Sequence, residues 1–231
     1  MPPDPRPALT LIAPMYNEGE NVADTVARLG KTFAGLPGGA EVVLVNDGSR
    51  DDTLAVAKDL LPGRPGLRIA SYPVNAGRGK ALREGFRAAR GEIVITTDFD
   101  LSYDEATLFG LYRALRDDPS VDVVLASAYL PGGAVVGVPA FRKWISRLGN
   151  RVLSVALGGR VVTSTCIVRA YRRSVLDLLD LESEGKEIHL EIVSKLLALG
   201  IPFKEVPATL RGRQKGRSKF RFRATSLSHV L

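Results

Sequence analysis

Side chains with reactive or metal-binding chemistry are scarce in this sequence of 231 residues, which has one cysteine, one tryptophan and two histidines. Cys166 has no partner for an internal disulfide, which favours a reducing compartment. His189 and His229 lack the spacing of metal ligands, and no Ser/His/Asp or Cys/His set indicates a nucleophile. Both histidines are therefore predicted to be structural.

Long apolar stretches are also absent. Residues 1–7 have no apolar core of the kind found in a signal peptide, and no run approaches the ~20 apolar residues that cross a bilayer. Hydrophobic residues nevertheless make up 45% of the chain, which is enough for a buried core at this length. We expect a globular protein that is cytoplasmic or attached peripherally to a membrane.

Acidic residues are outnumbered, and the formal net charge is +7. From residue 211 to residue 223, every odd position is Arg or Lys. If this segment is extended, its cations share one face and would attract a nucleotide diphosphate, anionic lipid headgroups or nucleic acid. A solvated tail is the other interpretation. We predict a single domain over residues 1–210 and a basic segment at 211–231, and we do not predict a nucleic-acid partner.

Short apolar runs alternate with helix-like stretches through the first half of the chain. Strands are predicted at 9–13, 41–46, 67–72 and 92–97, and helices at 19–33, 51–61 and 77–90. Such alternation is typical of an α/β fold with a mostly parallel sheet and helices on both faces. Ligands of these folds bind beyond the carboxyl ends of the strands.

The fourth predicted strand ends in two carboxylates, Asp98 and Asp100. Side chains at positions i and i+2 of a strand point the same way, so the two carboxylates can converge. Clustered anions repel each other unless a cation lies between them. Because Mg²⁺ is commonly held by one or two carboxylates together with phosphate oxygens, and Mn²⁺ is a comparable ion, the pair predicts chemistry on a diphosphate.

The first two strand ends carry polar residues with two interpretations each. Asn17 could cap the following helix, and residues 46–53 could be an ordinary turn and helix start. Alternatively, Tyr16 stacks on a nucleobase, Glu18 accepts from the base or ribose, and Asp47 bonds an N–H of the base. The sequence alone leaves both readings open.

The third strand end, at residues 75–80, is glycine-rich but lacks the Walker spacing. Gly77 and Gly79 are predicted to begin a helix whose free N–H groups could meet an anion, together with Arg78 or Lys80.

The second half of the chain is organised differently. A strand is predicted at 121–128, a Gly/Pro-rich stretch at 131–139, and helices at 140–157 and 187–199. One face of the helix at 140–157 is apolar and carries Phe141, Trp144, Ile145, Leu148, Val152 and Val155, and the other is basic. This helix either packs on the sheet or lies at a membrane surface with its apolar face in lipid.

Taken in order, these strand-end motifs resemble those of family-2 glycosyltransferases with the GT-A fold. The motifs are Pro14-x-Tyr-Asn-Glu18, Val45-Asn-Asp-Gly-Ser49, Asn75-x-Gly-x-Gly-Lys-Ala81 and Asp98-x-Asp100-Leu. Four downstream motifs are similar to the dolichol-phosphate mannose synthase branch and its bacterial polyprenyl-phosphate relatives. They are Tyr129-x-Pro-Gly-Gly133, Arg169-Ala-Tyr-Arg172, Glu205-Val-Pro207 and Arg213-x-x-Gly-x-Ser-Lys219.

The resemblance implies roles for particular residues. The sugar-nucleotide donor would be bound by Pro14, Tyr16, Glu18, Val45, Asp47, Lys80, Asp98, Phe99, Asp100 and Ser102. Mg²⁺ or Mn²⁺ would be held by Asp98, Asp100 and Ser102. The acceptor would be bound by Arg142, Arg213, Ser218 and Lys219, and the catalytic residues would be Asp100, Arg213 and Lys219. Residues 1–120 would form the nucleotide-sugar half and residues 121–210 the acceptor half.

Three departures from the branch concern the sugar and its phosphates. Ser102 stands where glutamine usually assists the metal, and Ala128 stands where an arginine is common. The segment Thr163–Val168 replaces a usual Thr-Ser-Gly-Phe stretch. Asp-Leu-Ser at 100–102 is closer to glucosyl-type relatives than to mannosyl ones.

The predicted function is inverting transfer of a hexose, from a donor of the GDP-mannose or UDP-glucose type, to a polyprenyl phosphate at the cytosolic membrane face. A phosphate acceptor needs no general base, whereas a hydroxyl acceptor would need one, for which Glu187 and Glu191 are candidates. The alternatives are a soluble family-2 glycosyltransferase acting on a glycan or small-molecule hydroxyl, and a non-catalytic nucleotide- or polyanion-binding protein. The sequence makes no prediction of oligomeric state.

Overall fold

The computed structural model describes residues 6–212. The first half contains β1 (Leu9–Met15), α1 (Gly19–Thr32), β2 (Ala40–Asp47), α2 (Thr53–Asp59), β3 (Leu67–Tyr72), α3 (Arg78–Ala88), β4 (Ile93–Thr96) and α4 (Glu105–Arg116). The second half contains β5 (Val123–Ser127), β6 (Ala134–Val136), α5 (Ala140–Ala156), β7 (Arg169–Arg172), α6 (Arg173–Leu176), α7 (Ile188–Ala198), β8 (Phe203–Pro207) and β9 (Thr209–Arg211). The elements predicted from periodicity are confirmed, with ends shifted by a few residues.

A seven-stranded sheet with the order β3-β2-β1-β4-β7-β5-β8 forms the centre of the molecule. Every strand runs in the same direction except β7, which is antiparallel to both β4 and β5. Helix α1 contacts α2 and α4, whereas α3 packs on β1 and β2 and contacts α7. The chain moves from β1 to β3 in one direction and from β3 to β4 in the other, so right-handed crossovers place α1 and α2 on the face opposite α3. The predicted mostly parallel sheet with helices on both faces is confirmed, while the reversed strand β7 was not predicted.

The central strands are apolar along their whole length because both of their faces are covered. Leu9, Leu11 and Ile12 of β1 have no exposed surface, and neither do Val43 and Leu44 of β2. Continuous apolar strands of this kind are typical of parallel sheets between two helical layers.

The order of the strands determines where a ligand can enter. Strand β1 lies between β2 and β4, because the chain builds outward to β3 and then crosses back to β4. Loops at the carboxyl ends of β1 and β4 therefore leave in opposite directions and open a crevice. The carboxyl ends of β1 to β4 all lie on this edge, so the four strand-end motifs meet there.

The carboxyl-terminal part of the described chain returns to this crevice. Strand β9 pairs in parallel with β6, and Leu210 forms an isolated bridge with Tyr103. The backbone N–H of Arg211 donates to the carbonyl oxygen of Ser102 at 2.8 Å, and that of Gly212 donates to Val136 at 2.8 Å. The described chain thus ends beside the loop that follows β4.

Helix α5 presents its apolar face to solvent. Phe141, Trp144, Val152 and Val155 are between 61% and 72% exposed, and Leu148 is 45% exposed. Asn150, on the opposite side, is the buried residue of the helix; its amide donates to Thr165 and accepts from the N–H of Ser164. The interpretation in which the apolar face packs on the sheet is therefore wrong. Within residues 6–212, no helix is both long and apolar enough to cross a membrane.

At the opposite edge of the sheet, the buried carboxylate of Glu41 ties β1, β2 and the end of α3 together. The side chain is 2% exposed and accepts from Thr10 Oγ1 at 2.7 Å, from the Arg90 backbone N–H at 2.8 Å and from Arg90 Nε at 2.9 Å. Burial alone would raise the pKa of Glu41, but the hydrogen bonds from Thr10 and Arg90 lower it overall. The carboxylate is therefore charged and structural.

Replacing Glu41 with Ala is expected to lower the free energy of unfolding by about 3 kcal/mol, because it leaves buried donors without an acceptor. Urea denaturation measures this loss. Glu84→Ala is the matched control, since the Glu84–Arg87 pair on α3 is more exposed and should contribute less than about 1 kcal/mol. Equal losses in the two variants would contradict a structural role for Glu41.

Candidate active site

The loops after β1 and β2 are joined by hydrogen bonds at the crevice. Asn17 adopts a left-handed conformation with a φ of 51°, its N–H donates to Ser49 Oγ at 3.0 Å, and its Oδ1 accepts from the Arg50 N–H at 2.8 Å. The Glu18 N–H donates to Thr53 Oγ1 at 2.7 Å. The capping role considered for Asn17 is wrong, because Glu18 is the residue at the start of α1 and Asn17 instead links the two loops.

The carboxylate of Asp47 holds the glycine-rich loop after β3 by hydrogen bonds. It accepts from the Asn75 amide at 2.8 Å and from the backbone N–H groups of Ala76 at 2.8 Å and Gly77 at 3.1 Å. The residue is 6% exposed. The structure therefore shows Asp47 shaping the glycine-rich loop, and its predicted bond to a nucleobase stays a prediction.

Two backbone N–H groups at the start of α3 are already occupied within the protein. The N–H groups of Gly79 and Lys80 both donate to the carbonyl oxygen of Glu184, at 2.6 and 3.1 Å. A β-carbon on Gly79 would lie 2.3 Å from the Ser183 carbonyl oxygen, so only glycine allows this approach. The prediction that these N–H groups are available to an anion is wrong, because the loop before α7 occupies them.

That loop is held in turn by Glu191 on α7. The carboxylate accepts from the N–H groups of Glu182 at 2.8 Å and Ser183 at 2.9 Å, and from Lys195 Nζ at 2.9 Å. Burial alone would raise the pKa of Glu191, but these bonds lower it to about 2. Such a carboxylate is a weak proton acceptor, which disfavours Glu191 as a general base. Glu187 accepts from the Gly185 N–H at 2.7 Å.

The predicted metal ligands lie together after β4. Asp98 is 23% exposed, and its Oδ1 lies 3.5 Å from Nη2 of Arg78. Asp100 Oδ1 accepts from the Ser102 N–H at 3.1 Å and from Ser102 Oγ at 2.6 Å. Leu101, which lies between Asp100 and Ser102, has a left-handed backbone conformation with a φ of 49°. This conformation is unusual for a non-glycine residue and is typical of functional loops.

Two cations near Asp98 were not predicted as its neighbours. Arg78 opens α3 and pairs with Asp98, although Lys80 was the residue assigned to the donor. The second cation is Lys186. Its pKa is lowered overall, by burial first and then by the charge of Arg78, while the charge of Asp98 opposes this effect. The Lys80 ammonium lies over the Tyr72 ring, 5.2 Å from its centre. The sequence feature that could have pointed to Arg78 is the position of a basic residue between two glycines.

The remaining predicted donor residues occupy different environments. Val45 and Phe99 are 0% and 5% exposed, and the Phe99 carbonyl accepts from Thr25 Oγ1 at 2.9 Å. Their side chains therefore belong to the core, so a donor could meet only their backbone. Pro14 and Tyr16 are partly exposed at the crevice. Their donor contacts stay predictions.

The donor atoms after β4 fit a hard divalent cation. Two carboxylates and a hydroxyl are oxygen ligands, and Mg²⁺ is usually bound by one or two carboxylates, with substrate phosphates and water completing its shell. No group of three or more His, Cys, Asp or Glu side chains suited to a metal occurs within residues 6–212. The site therefore suits an ion that arrives with a diphosphate better than an independently bound ion.

Two charged side chains, Glu205 and the fully buried Arg169, brace the second half of the described chain. Glu205 accepts from the N–H groups of Val162 at 2.6 Å and Thr163 at 2.8 Å. Arg169 has no exposed surface and donates to the carbonyl oxygens of Ser164 at 2.6 Å, Cys166 at 2.8 Å and His189 at 3.1 Å. These bonds explain two of the downstream motifs, because they fix the segment that replaces Thr-Ser-Gly-Phe.

A cavity of about 290 Å³ lies between α5 and β6. Its lining includes Ala128, Tyr129, Lys143, Trp144 and Arg147. The Arg147 guanidinium lies over the Tyr129 ring, 5.5 Å from its centre, and Lys143 Nζ donates to the Val135 carbonyl at 3.3 Å. The cavity is therefore lined by two cations and two aromatic rings, and one of these rings, Trp144, also belongs to the exposed apolar face of α5.

The acceptor residues predicted from the resemblance are only partly described. Arg142 is exposed on α5. Arg213, Ser218 and Lys219 lie outside the described residues, and so does His229. Their roles stay predictions.

A parallel sheet with polar loops at its carboxyl edge and a carboxylate pair after β4 defines an α/β protein that binds its ligand at a strand-order switch point. The chain belongs to glycosyl transferase family 2, whose sequence profile matches residues 10–179. It is therefore a glycosyltransferase, and the predicted family is confirmed.

Relatives with assigned activities cover most of the chain. An undecaprenyl-phosphate mannosyltransferase of Micrococcus luteus is 32% identical over 217 residues, covering 91% of this chain and 86% of that protein. A polyprenol monophosphomannose synthase of Mycolicibacterium smegmatis is also 32% identical, covering 90% and 79%. A dolichol-phosphate mannosyltransferase of Pyrococcus furiosus is 29% identical and covers 92% of this chain but 59% of that protein.

Solved structures confirm the GT-A fold. Glucosyl-3-phosphoglycerate synthase from Mycobacterium tuberculosis, in complex with Mn²⁺, UDP and glucosyl-3-phosphoglycerate, superposes with a TM-score of 0.72 at 20% identity, covering 96% of this chain and 76% of that one. The same enzyme with Mg²⁺ and UDP gives a TM-score of 0.67 at 20% identity, covering 92% and 73%. At these identities the likeness concerns the fold alone.

Replacing Glu191 with Gln should lower the melting temperature, because a neutral amide holds the loop at 182–184 less strongly than a carboxylate. Transfer activity should stay within about tenfold of wild type, since a lost general base typically costs 10²-fold or more. Calorimetry and steady-state kinetics give the two readouts. A loss of 10²-fold in kcat with unchanged stability would instead identify Glu191 as a catalytic base.

Proposed function

We propose that this glycosyltransferase transfers a hexose from a nucleoside diphosphate sugar to the phosphate of a polyprenyl lipid, with inversion at the anomeric carbon. The observation that carries the proposal is the exposed apolar face of α5, a helix that also lines a cavity with Lys143 and Arg147 and is linked through β6 and β9 to the loop after β4. The names of the two relatives at 32% identity support the same acceptor class.

The donor is assigned to the crevice at the ends of β1 to β4. Tyr16 and Glu18 are assigned to its nucleoside side, and Asp47 fixes the loop that carries Arg78. Asp98, Asp100 and Ser102 are the residues that would hold Mg²⁺ or Mn²⁺. When bound, this cation supplies Lewis-acid stabilisation of the leaving diphosphate.

In the proposed reaction, an oxygen of the lipid phosphate forms a bond to the anomeric carbon as the bond to the donor diphosphate breaks. The lipid phosphate is a monoester and already anionic near pH 7, so it needs no deprotonation. This agrees with the environment of Glu191, whose oxygens are occupied by loop donors. A hydroxyl acceptor, the alternative, would require a base that the described site does not supply in an obvious form.

The acceptor phosphate is assigned to the side of the crevice formed by β6, β9 and α5. Strand β9 connects the two sites, because it pairs with β6 and bonds to Ser102. Lys143 and Arg147 supply positive charge in the cavity, and Arg147 is kept in place by Tyr129. The basic residues that follow Gly212, including Arg213 and Lys219, continue the chain from this point.

The lipid chain is assigned to the bilayer entered by the apolar face of α5. An amphipathic helix with Trp and Val on one face and cations beside them is typical of membrane interfaces. Arg142 and Arg151 are exposed on the same helix and would face anionic headgroups. The protein would then be attached peripherally, at the cytosolic face where sugar nucleotides are available.

The assignment of the reaction is tested with radiolabelled GDP-mannose and UDP-glucose, Mn²⁺ and undecaprenyl or dolichyl phosphate. We expect label in the organic phase with one of the donors. Asp100→Asn should reduce transfer by at least about 10²-fold, because leaving-group stabilisation is lost. Asp117→Asn, an exposed residue paired with Arg116, is the matched control and should be unaffected.

Label that stays water-soluble with every lipid phosphate would contradict the lipid acceptor and favour transfer to a hydroxyl. The absence of any turnover, with nucleotide binding intact, would favour the non-catalytic alternative.

Membrane attachment through α5 is tested with anionic vesicles in a sedimentation assay. The double variant Val152→Glu and Val155→Glu should weaken binding by at least about tenfold, since each buried valine contributes roughly 1.5 kcal/mol. Leu178→Glu is the matched control, because Leu178 is 63% exposed but lies outside α5. Equal binding by the double variant and the wild type would contradict insertion of this face.

A further inference from the structure

The pair between Arg78 and Asp98 is unusual because it places a side-chain cation at a predicted metal ligand. Nη2 of Arg78 lies 3.5 Å from Oδ1 of Asp98, and the two side chains are 37% and 23% exposed. We propose that Arg78 is a built-in counter-ion that competes with the divalent cation for Asp98 and exchanges Asp98 for the donor diphosphate. Arg78 would thereby couple the binding of metal and donor. This inference rests on the proposed function only for the identity of the diphosphate.

The backbone of Arg78 is fixed, so the exchange needs only its side chain to move. On one side, the Gly77 N–H donates to Asp47 at 3.1 Å, and on the other, the Gly79 N–H donates to Glu184 at 2.6 Å. A φ of 100° at Gly77 allows the turn between them. The guanidinium therefore pivots from an anchored point beside the carboxylate.

The strength of the pair is suited to exchange. A partly exposed ion pair contributes little, because water screens it. A divalent ion at a ligand distance of about 2.1 Å attracts a carboxylate about three times as strongly as a monovalent group at 3.5 Å in the same medium. Arg78 therefore reduces the repulsion between Asp98 and Asp100 while the metal is absent, and it does not prevent Asp98 from binding the metal later.

A count of the local charges explains why metal and donor should bind together. Among residues 6–212, Arg78 pairs with Asp98 and the charge of Asp98 also acts on Lys186, so these two cations offset the carboxylates of Asp98 and Asp100. A divalent ion alone would leave two positive charges without compensation. The two negative charges of a nucleoside diphosphate sugar restore the balance, and the Arg78 guanidinium released from Asp98 is suited to bind phosphate oxygens in a bidentate manner.

The test compares Mn²⁺ binding to the wild type and to Arg78→Gln by electron paramagnetic resonance of free Mn²⁺, first without nucleotide and then with UDP or GDP. Without nucleotide, Arg78→Gln should bind Mn²⁺ about tenfold more tightly, because a cation that competes for Asp98 has been removed. In the wild type, nucleotide should tighten Mn²⁺ binding by at least about tenfold. In Arg78→Gln this coupling should fall below about threefold.

Two further variants separate competition from structural damage. Arg87→Gln makes the same change on the same helix, at an exposed residue paired with Glu84, and should leave Mn²⁺ affinity unchanged. Arg78→Lys keeps the charge and should remain within about threefold of wild type. A merely structural role for Arg78 could weaken Mn²⁺ binding but would not tighten it.

Equal or weaker Mn²⁺ binding by Arg78→Gln without nucleotide, including no detectable binding to either protein, would overturn the inference. This arm contains no donor and no acceptor, so it is independent of the proposed reaction. Failure of every sugar nucleotide to react would refute the proposed function, while tighter Mn²⁺ binding by Arg78→Gln would still support competition at Asp98.

Discussion

The mutual repulsion of Asp98 and Asp100 is the constraint to which the rest of the site responds. Strand β4 ends at Thr96, and the turn that follows it carries two carboxylates with one residue between them, which need positive charge nearby. In the structure Arg78 supplies it from α3, and Asp100 is further bonded by Ser102. The loops around the pair hold these groups in place: Asp47 shapes the loop that carries Arg78, and Glu184 fixes the start of its helix.

The sequence predicted the features that depend on local spacing. Alternating strands and helices define the sheet, and parallel strands bring their carboxyl ends to one edge, so the four strand-end motifs could be placed together. Features that depend on distant segments could not be predicted. The donors at the start of α3 are occupied by Glu184, more than a hundred residues away in sequence, and Asn17 bonds to another loop instead of capping its own helix.

The orientation of α5 is another feature that the sequence alone did not predict. Helical periodicity identified an apolar face, but not whether that face meets the sheet or the solvent. Asn150 settles this, because its buried amide bonds to Ser164 and Thr165 and so turns the side opposite the apolar face towards the protein. A helix with an exposed apolar face is thus linked by β9 to the loop that follows β4, at a crevice suited to a diphosphate. Under the proposed function, the donor would bind in the crevice and the lipid acceptor would approach along α5.

The central claim is that Asp98 and Asp100 bind a divalent cation together with the diphosphate of a nucleotide. The most direct measurement is anomalous diffraction at the manganese edge from crystals grown with Mn²⁺ and a nucleoside diphosphate. The account predicts one strong anomalous peak, within about 2.2 Å of carboxylate oxygens of this pair and of the diphosphate. A well-ordered nucleotide in the crevice with no manganese at these carboxylates would contradict it.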